Sequence, residues 1–179
     1  MKKIYFILTD AGTILGKIIK LKTGRKYTHV SISLDENLNE MYSFSRIKPY
    51  NCFIGGFVHE RPNCGSYKRF KKTEALIKYM EITDYQYEKL KEQIVLFKRN
   101  KKIYKFNVLG LAYILFNKKI HRKNHFYCAE FLKHVLQNAN IRVNLPEMPK
   151  PENFEDLKYA KPIYRGLLNN YRAKRLNYI

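Results

Sequence analysis

Acidic residues are scarce in this chain. Fifteen Asp and Glu stand against 35 Lys and Arg, a formal charge of +20 over 179 residues. Such an excess gives a strongly positive surface field, which draws nucleic acid, anionic lipid headgroups or an acidic partner without choosing among them. Cysteine is scarce too: Cys52, Cys64 and Cys128 cannot all pair within one chain. That excludes a self-contained disulfide framework and fits reduced thiols in a cytosolic compartment. No Gly/Ser linker, internal repeat or low-complexity tract divides the chain, so one domain over 1–179 is expected, with a basic C-terminal tail from about residue 165. No apolar run is long enough to span a bilayer. The longest, "VLGLAYILF" from Val108 to Phe116, falls far short of the ~20 residues required. The N-terminal apolar stretch stops at Thr9 and Asp10 without a small-residue cleavage site, and reads as a strand rather than an export signal. The expected location is therefore cytoplasmic, or peripheral on the inner face of a membrane.

What the chain does have is enough apolar side chain for a real core: hydrophobic residues make up 45% and aromatics 15%. "KKIYFILT" is rich in β-branched and aromatic residues and predicts a strand. "GTILGKIIKLKTG" has helical apolar spacing, with Gly24 as its stop. "YTHVSISLD" alternates, sending Val30, Ile32 and Leu34 to one face and His29, Ser31 and Ser33 to the other. "ENLN" turns the chain, and "EMYSFS" returns as the partner strand. Residues 46–66 contain two prolines and three glycines and predict a long surface loop. "YKRF" and "ALIKYMEIT" predict strands. Thr83 or Asp84 caps an amphipathic helix, and a further helix covers part of "FNVLGLAYILF". From Cys128 onward, Phe131, Leu132, Val135 and Leu136 form one apolar helical stripe. "NLPEMPKPENFEDL" is a proline-rich exit, and the end of the basic tail is expected to be disordered. The pattern is α+β, an antiparallel sheet packed against helices, with a cysteine at the N-terminus of a core helix.

Cys128 poses the chemical question. A free cysteine on an apolar stripe most often packs as a small hydrophobe. A zinc site would recruit His121 and His125, but no tightly paired Cys-x2-Cys spacing exists, and a solvated basic turn accounts for those histidines. No metal or other cofactor is expected. A nucleophile at a helix start has the macrodipole and free amides beside it, which favour a thiolate and can hold an oxyanion. Glu130, in the first turn, suits a helix N-terminus on electrostatic grounds alone. A thiol nucleophile also needs a base. His134 lies about 240° around the helix from Cys128 and is expected on the exposed face. His29, on the polar side of an alternating strand, is the better candidate.

"YTHVSISLD", "EMYSFS" and "FYCAEFLKHVL" together resemble the circularly permuted papain-like branch of the NlpC/p60 superfamily. In that branch a His-Val/Ala-x-Ile strand precedes a Cys-Ser/Ala-Glu/Gln-Leu/Phe helix start. His29-Val30-Ser31-Ile32 and Cys128-Ala129-Glu130-Phe131 match in order and context. The resemblance runs roughly from Ile4 to Asn140, carried by short motifs and their order. It implies a permuted papain-like fold, with Cys128 as nucleophile and His29 as general base. It also implies a third, orienting residue from the next strand, where Ser43 or Glu40 stands. A glutamate of other members aligns with Ser43, a departure. Tyr127 and Tyr42 are the expected substrate-pocket aromatics, with core packing as the competing reading.

The lecithin:retinol acyltransferase-like proteins share this permuted order, which brings lipid acyl transfer into view. The expected function is a cysteine-dependent acyl hydrolase or acyltransferase working through a thioester, on phospholipid or lipoprotein at an anionic membrane surface. Some permuted members of Gram-positive bacteria are implicated in lipoprotein N-acylation beside an integral membrane partner, which extends the expectation to such a partner. A peptidase or amidase on peptide or cell-wall amides is the alternative. Binding of nucleic acid, with tyrosines of "KRNKKIYKF" stacking on bases, is a second alternative, and no RNA-binding fingerprint supports it.

Overall fold

The computed structural model describes residues 1–47, 55–108, 110 and 122–173. Its centre is a six-stranded sheet in the order β4-β3-β2-β1-β5-β8, with every neighbouring pair antiparallel. The strands are β1 (Lys2–Asp10), β2 (His29–Ser33), β3 (Met41–Arg46), β4 (Gly55–Glu60), β5 (Glu74–Ile82) and β8 (Lys161–Leu167). β1 is central because period-2 alternation supplies apolar side chains to both faces. Ile4, Phe6 and Leu8 enter the larger core, while Tyr5 and Ile7 enter a smaller one on the opposite side. Fully burying such a side chain contributes roughly 1.5–3 kcal/mol.

Helices α3 (Asp84–Arg99), α4 (Cys128–Asn138) and the short α5 (Pro151–Glu155) cover the larger core. Thr83 is the N-cap of α3. Its Oγ1 accepts the Gln86 N–H at 3.1 Å, while Gln86 Oε1 accepts the Thr83 N–H at 3.0 Å. This reciprocal arrangement satisfies two amides at the helix start. On α4, Phe131, Leu132, Val135 and Leu136 are fully buried, as their spacing predicts. Lys78 of β5 also points to this side; its Nζ donates to the carbonyls of Glu155 and Leu157 at 2.7 and 2.8 Å, pinning the end of α5. α1 (Ile14–Thr23) starts at Thr13 and stops at Gly24, whose φ of 67° is the left-handed conformation that favours glycine. α2 (Gly65–Arg69) lies over the opposite face, where Tyr67 joins Leu38, Leu168 and Tyr171 in the smaller core. A two-residue parallel pair, β6 (Lys105–Phe106) and β7 (His125–Phe126), leads into α4.

The antiparallel sheet and helices of the expected α+β class are present. Four details differ from expectation. Part of the loop expected over residues 46–66 is β4, because Phe57 packs on Phe44 and Tyr42 and completes the sheet edge. "YKRF" lies largely in α2 rather than a strand; the Tyr67 and Lys68 amides both turn back to the Cys64 carbonyl. The start of the tail expected from about residue 165 belongs to the fold, since β8 pairs with β5 and Leu168 is fully buried; residues 174–179 lie outside the described residues. His134 is half-buried rather than exposed, with its ring 5.1 Å from that of Phe126 and 5.7 Å from that of Phe97. The helix expected in "FNVLGLAYILF" lies mostly outside the described residues. No described helix is long and apolar enough to cross a membrane.

Candidate active site

α4 begins at Cys128, following the N-cap Tyr127. The first intrahelical bond runs from the Phe131 N–H to the Tyr127 carbonyl at 3.0 Å, so the amides of 128–130 precede it. Glu130 is buried in that first turn. Its Oε2 accepts the Tyr127 N–H and an Asn107 side-chain N–H, each at 3.4 Å. Asn107, fully buried, uses its Oδ1 to accept the Gly110 N–H at 2.9 Å. A Cβ on Gly110 would collide with that Asn107 amide, so only glycine fits there. Glu130 therefore does more than complement a helix end: it ties the backbone before Cys128 to a buried amide.

His29 opens β2, opposite Thr9 of β1. It is half-buried and lines the same cleft as Cys128, which acts electrostatically on its ring. Its Nε2 lies 3.3 Å from Glu60 Oε1 and 3.2 Å from Ser31 Oγ. The Ser31 hydroxyl is committed as a donor to Glu60 Oε2 at 2.5 Å, which leaves its lone pairs facing the imidazole N–H. The Ser45 hydroxyl donates to Oε1 at 2.8 Å and the Tyr67 hydroxyl to Oε2 at 3.3 Å. Each Glu60 oxygen thus has two donors. A buried carboxylate needs such complete pairing to remain ionised.

The electrostatics follow from this contact. Burial by itself would lower the His29 pKa, but Glu60 and then Cys128 outweigh it and hold the ring up to about 10. Burial by itself would raise Glu60, but His29, Ser31 and Ser45 bring it down to about 2. At neutral pH the pair is imidazolium and carboxylate. Tyr67 is raised well above the usual phenol range by burial and by the Glu60 charge, so it remains a donor. Tyr127 is likewise pushed up by burial, Glu130 and Cys128.

Cys128 and His29 line one cleft. Ile19 of α1, Phe44 of β3 and Phe106 of β6 are among its apolar walls, with Tyr127 beside the sulfur. A second, smaller cleft adjoins the sulfur from the side of Tyr27, Tyr127 and Pro149. Of the residues expected around the site, the fold brings Cys128, His29 and Tyr127 together. Tyr42 lies outside the lining, because it occupies the far end of β3, stacked between Phe57 and His59 at 5.8 and 4.9 Å. Neither residue expected in the orienting position reaches the imidazole. Glu40 is exposed and accepts the Tyr42 hydroxyl at 3.4 Å. Ser43 is fully buried, and its Oγ has no hydrogen-bond partner among the described residues.

The residue on His29 Nε2 is Glu60, from β4, one strand further out than expected. Its signal was the alternation in "FVHE", masked by Pro49, Gly55 and Gly56 before it. Ser45 and Tyr67 were missed with it. His125 is engaged elsewhere, its Nδ1 lying 2.7 Å from the Lys123 carbonyl. Among the described residues no three His, Cys, Asp or Glu gather as metal ligands would. The chain matches no protein-family model, and no curated protein matches it.

Proposed function

We propose that the protein is a cysteine-dependent acyl hydrolase or acyltransferase acting on a lipid or lipid-linked substrate. The observation that carries this reading is the line of side chains Cys128, His29 and Glu60. A thiol at a helix start shares a cleft with a protonated imidazole whose Nε2 is held by a fully satisfied carboxylate. This is the arrangement thiol nucleophiles use: a base beside the thiol, oriented by a third group. The order of the histidine strand before the cysteine helix supports the permuted papain-like reading, with Glu60 rather than Ser43 or Glu40 in the orienting role.

The chemistry then runs in two halves. The Cys128 sulfur, its proton held by His29, attacks the substrate carbonyl carbon. The negative charge on the carbonyl oxygen is met by the amide of Cys128 at the start of α4. Collapse breaks the bond to the leaving group, which takes the proton from His29. The thioester left on Cys128 is then attacked by water or an amine, whose proton passes to His29; the carbon–sulfur bond breaks, the acyl product leaves, and Cys128 returns as the thiolate beside the imidazolium. Glu60 keeps Nε2 protonated and the ring aimed throughout.

Two features favour an acyl chain over a peptide. The cleft beside the sulfur has apolar walls in Ile19, Phe44 and Phe106. The charge of +20 draws the protein to anionic headgroups. The test is incubation with phospholipid and, separately, with a diacylated lipopeptide, followed by intact mass and peptide mapping. An acyl thioester confined to Cys128, removed by hydroxylamine and absent in Cys128→Ala, is the expected result. Equal modification of Cys64 and Cys128 by a simple acyl electrophile at neutral pH would overturn the nucleophile. A thioester formed only from peptide or amide substrates would move the reading to a peptidase or amidase.

A further inference from the structure

We propose that the surface around β6 and β7 is the face by which this protein docks on an anionic phospholipid bilayer. The proposal rests on the lipid reading of the site and assigns that site its partner surface.

No Asp or Glu occurs between Glu92 and Glu130, although lysine and arginine are frequent there. In the described part of this stretch, Lys101, Lys102, Lys105 and Lys123 are exposed. The ladder pairing Lys105 with His125 sets residues 101–105 beside residues 122–125, so two basic segments form one patch. None of these four lysines joins a salt bridge among the described residues. Four other lysines pair with carboxylates: Lys20 with Asp10, Lys26 with Glu74, Lys89 with Glu92 and Lys91 with Glu88. What sets the four lysines around β6 and β7 apart is their place beside the cleft. Phe106, next to Lys105, is a wall of that cleft. Cys128 lies three residues beyond His125, a chain distance of roughly 10 Å.

The patch also carries an apolar tip, and this separates a bilayer from a nucleic acid. Ile103 is 55% exposed among Lys101, Lys102 and Lys105. A branched aliphatic ringed by cations suits the boundary between headgroups and acyl chains. The aromatic that could stack on a base is already engaged: Tyr104 is half-buried, its ring stacked on Phe97 at 4.2 Å. A surface that spends its aromatic internally and exposes its aliphatic is poorly built for single-stranded nucleic acid.

The test is co-sedimentation with vesicles of equal parts phosphatidylcholine and phosphatidylglycerol, using the full chain and its Cys128→Ala form. Both forms should bind alike, and neither should bind pure phosphatidylcholine vesicles comparably. Each lysine near an anionic surface changes partitioning about fivefold, so Lys101→Gln/Lys102→Gln/Lys105→Gln should lose on the order of 100-fold. Lys158→Gln/Lys161→Gln/Arg165→Gln removes the same charge around β8, at the opposite edge of the sheet, and should bind nearly as wild type. Ile103→Ser should weaken binding further at high salt, where the electrostatic part is screened. Equal losses in the two triple variants would mean a diffuse field and overturn the docking face. Tighter binding to single-stranded RNA than to vesicles, lost with the same three lysines, would also overturn it. Vesicle binding by Cys128→Ala without any thioester on the wild-type chain would leave the docking face standing and remove the acyl chemistry.

Discussion

On one face of β2, Val30 and Ile32 press into aromatic and aliphatic side chains from α3 and α4. On the other, His29 and Ser31 are flanked by Glu60, Ser45 and Tyr67. Both faces are buried, yet different forces hold them. The helix side is a non-directional apolar core, whose contribution grows with the area removed from water. The opposite side near His29 is a polar cluster, which adds little net stability but is costly if one partner is removed. One alternating strand therefore supplies a scaffold on one side and an oriented imidazole on the other. Strength is needed on the first face and geometry on the second.

The largest effect on stability should come from the apolar face. Phe131 is fully buried and meets the rings of Phe44, Phe57 and Phe97 at 5.3, 5.6 and 5.0 Å. Phe131→Ala should cost about 3–5 kcal/mol in urea unfolding, from lost transfer energy plus the cavity left behind. Where the variant remains folded, Cys128 should still react faster than Cys64. A Phe131→Ala protein of wild-type stability would show that the helix side is not the scaffold.

Glu60→Gln attacks the other face, where the loss should appear in the chemistry as well as in stability. The imidazole would lose its carboxylate, and the His29 pKa should fall from about 10. Acylation of Cys128 should slow by about 100-fold or more, the usual scale of a displaced acid–base group. Imidazole nitrogen NMR reads the first effect and single-turnover mass spectrometry the second. An unchanged His29 titration would break the proposed role of Glu60.

The sign of the pH dependence follows from the same pair. His29 is raised from 6.5 to about 10, so its contribution to stability is complete below 6.5 and is lost as pH climbs through about 10. Glu60 is lowered from 4.5 to about 2, so its contribution is complete above 4.5 and is lost as pH falls through about 2. The stability difference between wild type and Glu60→Gln should therefore be greatest between pH 4.5 and 6.5 and shrink on either side. Denaturant midpoints across that range check it; a difference that grows towards pH 10 would have the wrong sign.

The contrast between the faces also explains what the sequence could and could not say. The helix side was legible because periodicity records burial: Val30, Ile32 and Leu34 and the stripe after Cys128 all lie where their spacing put them. His29 and Cys128 were legible as residue types at particular positions in a strand and at a helix start. Glu60 was not, because its role comes from strand pairing that local pattern does not encode. Gly55 and Gly56 read as loop, yet a Cβ on Gly55 would strike Phe106 and the Ser45 carbonyl, so close packing accounts for the glycine there. Ser31 and Ser33 read as a polar face, but both are fully buried. Ser31 is the one that serves the carboxylate. β8 was hidden by Pro162, Gly166 and the surrounding basic residues; as an edge strand it tolerates a proline that a central strand would reject.

The smallest effect separates geometry from mere polarity on the Glu60 face. Tyr67→Phe removes one of two donors to Glu60 Oε2 and leaves Ser31 on that oxygen, with Ser45 and His29 still on Oε1. The aromatic ring keeps its place among Leu38, Leu168 and Tyr171. One lost hydrogen bond to a charged group that retains other donors should cost about 1 kcal/mol in urea unfolding. Acylation of Cys128 should change little, because the oxygen facing His29 is untouched. If Tyr67→Phe slowed acylation as much as Glu60→Gln, the hydroxyl would have to act on the reacting groups themselves. The division between an orienting carboxylate and its supporting donors would then fail.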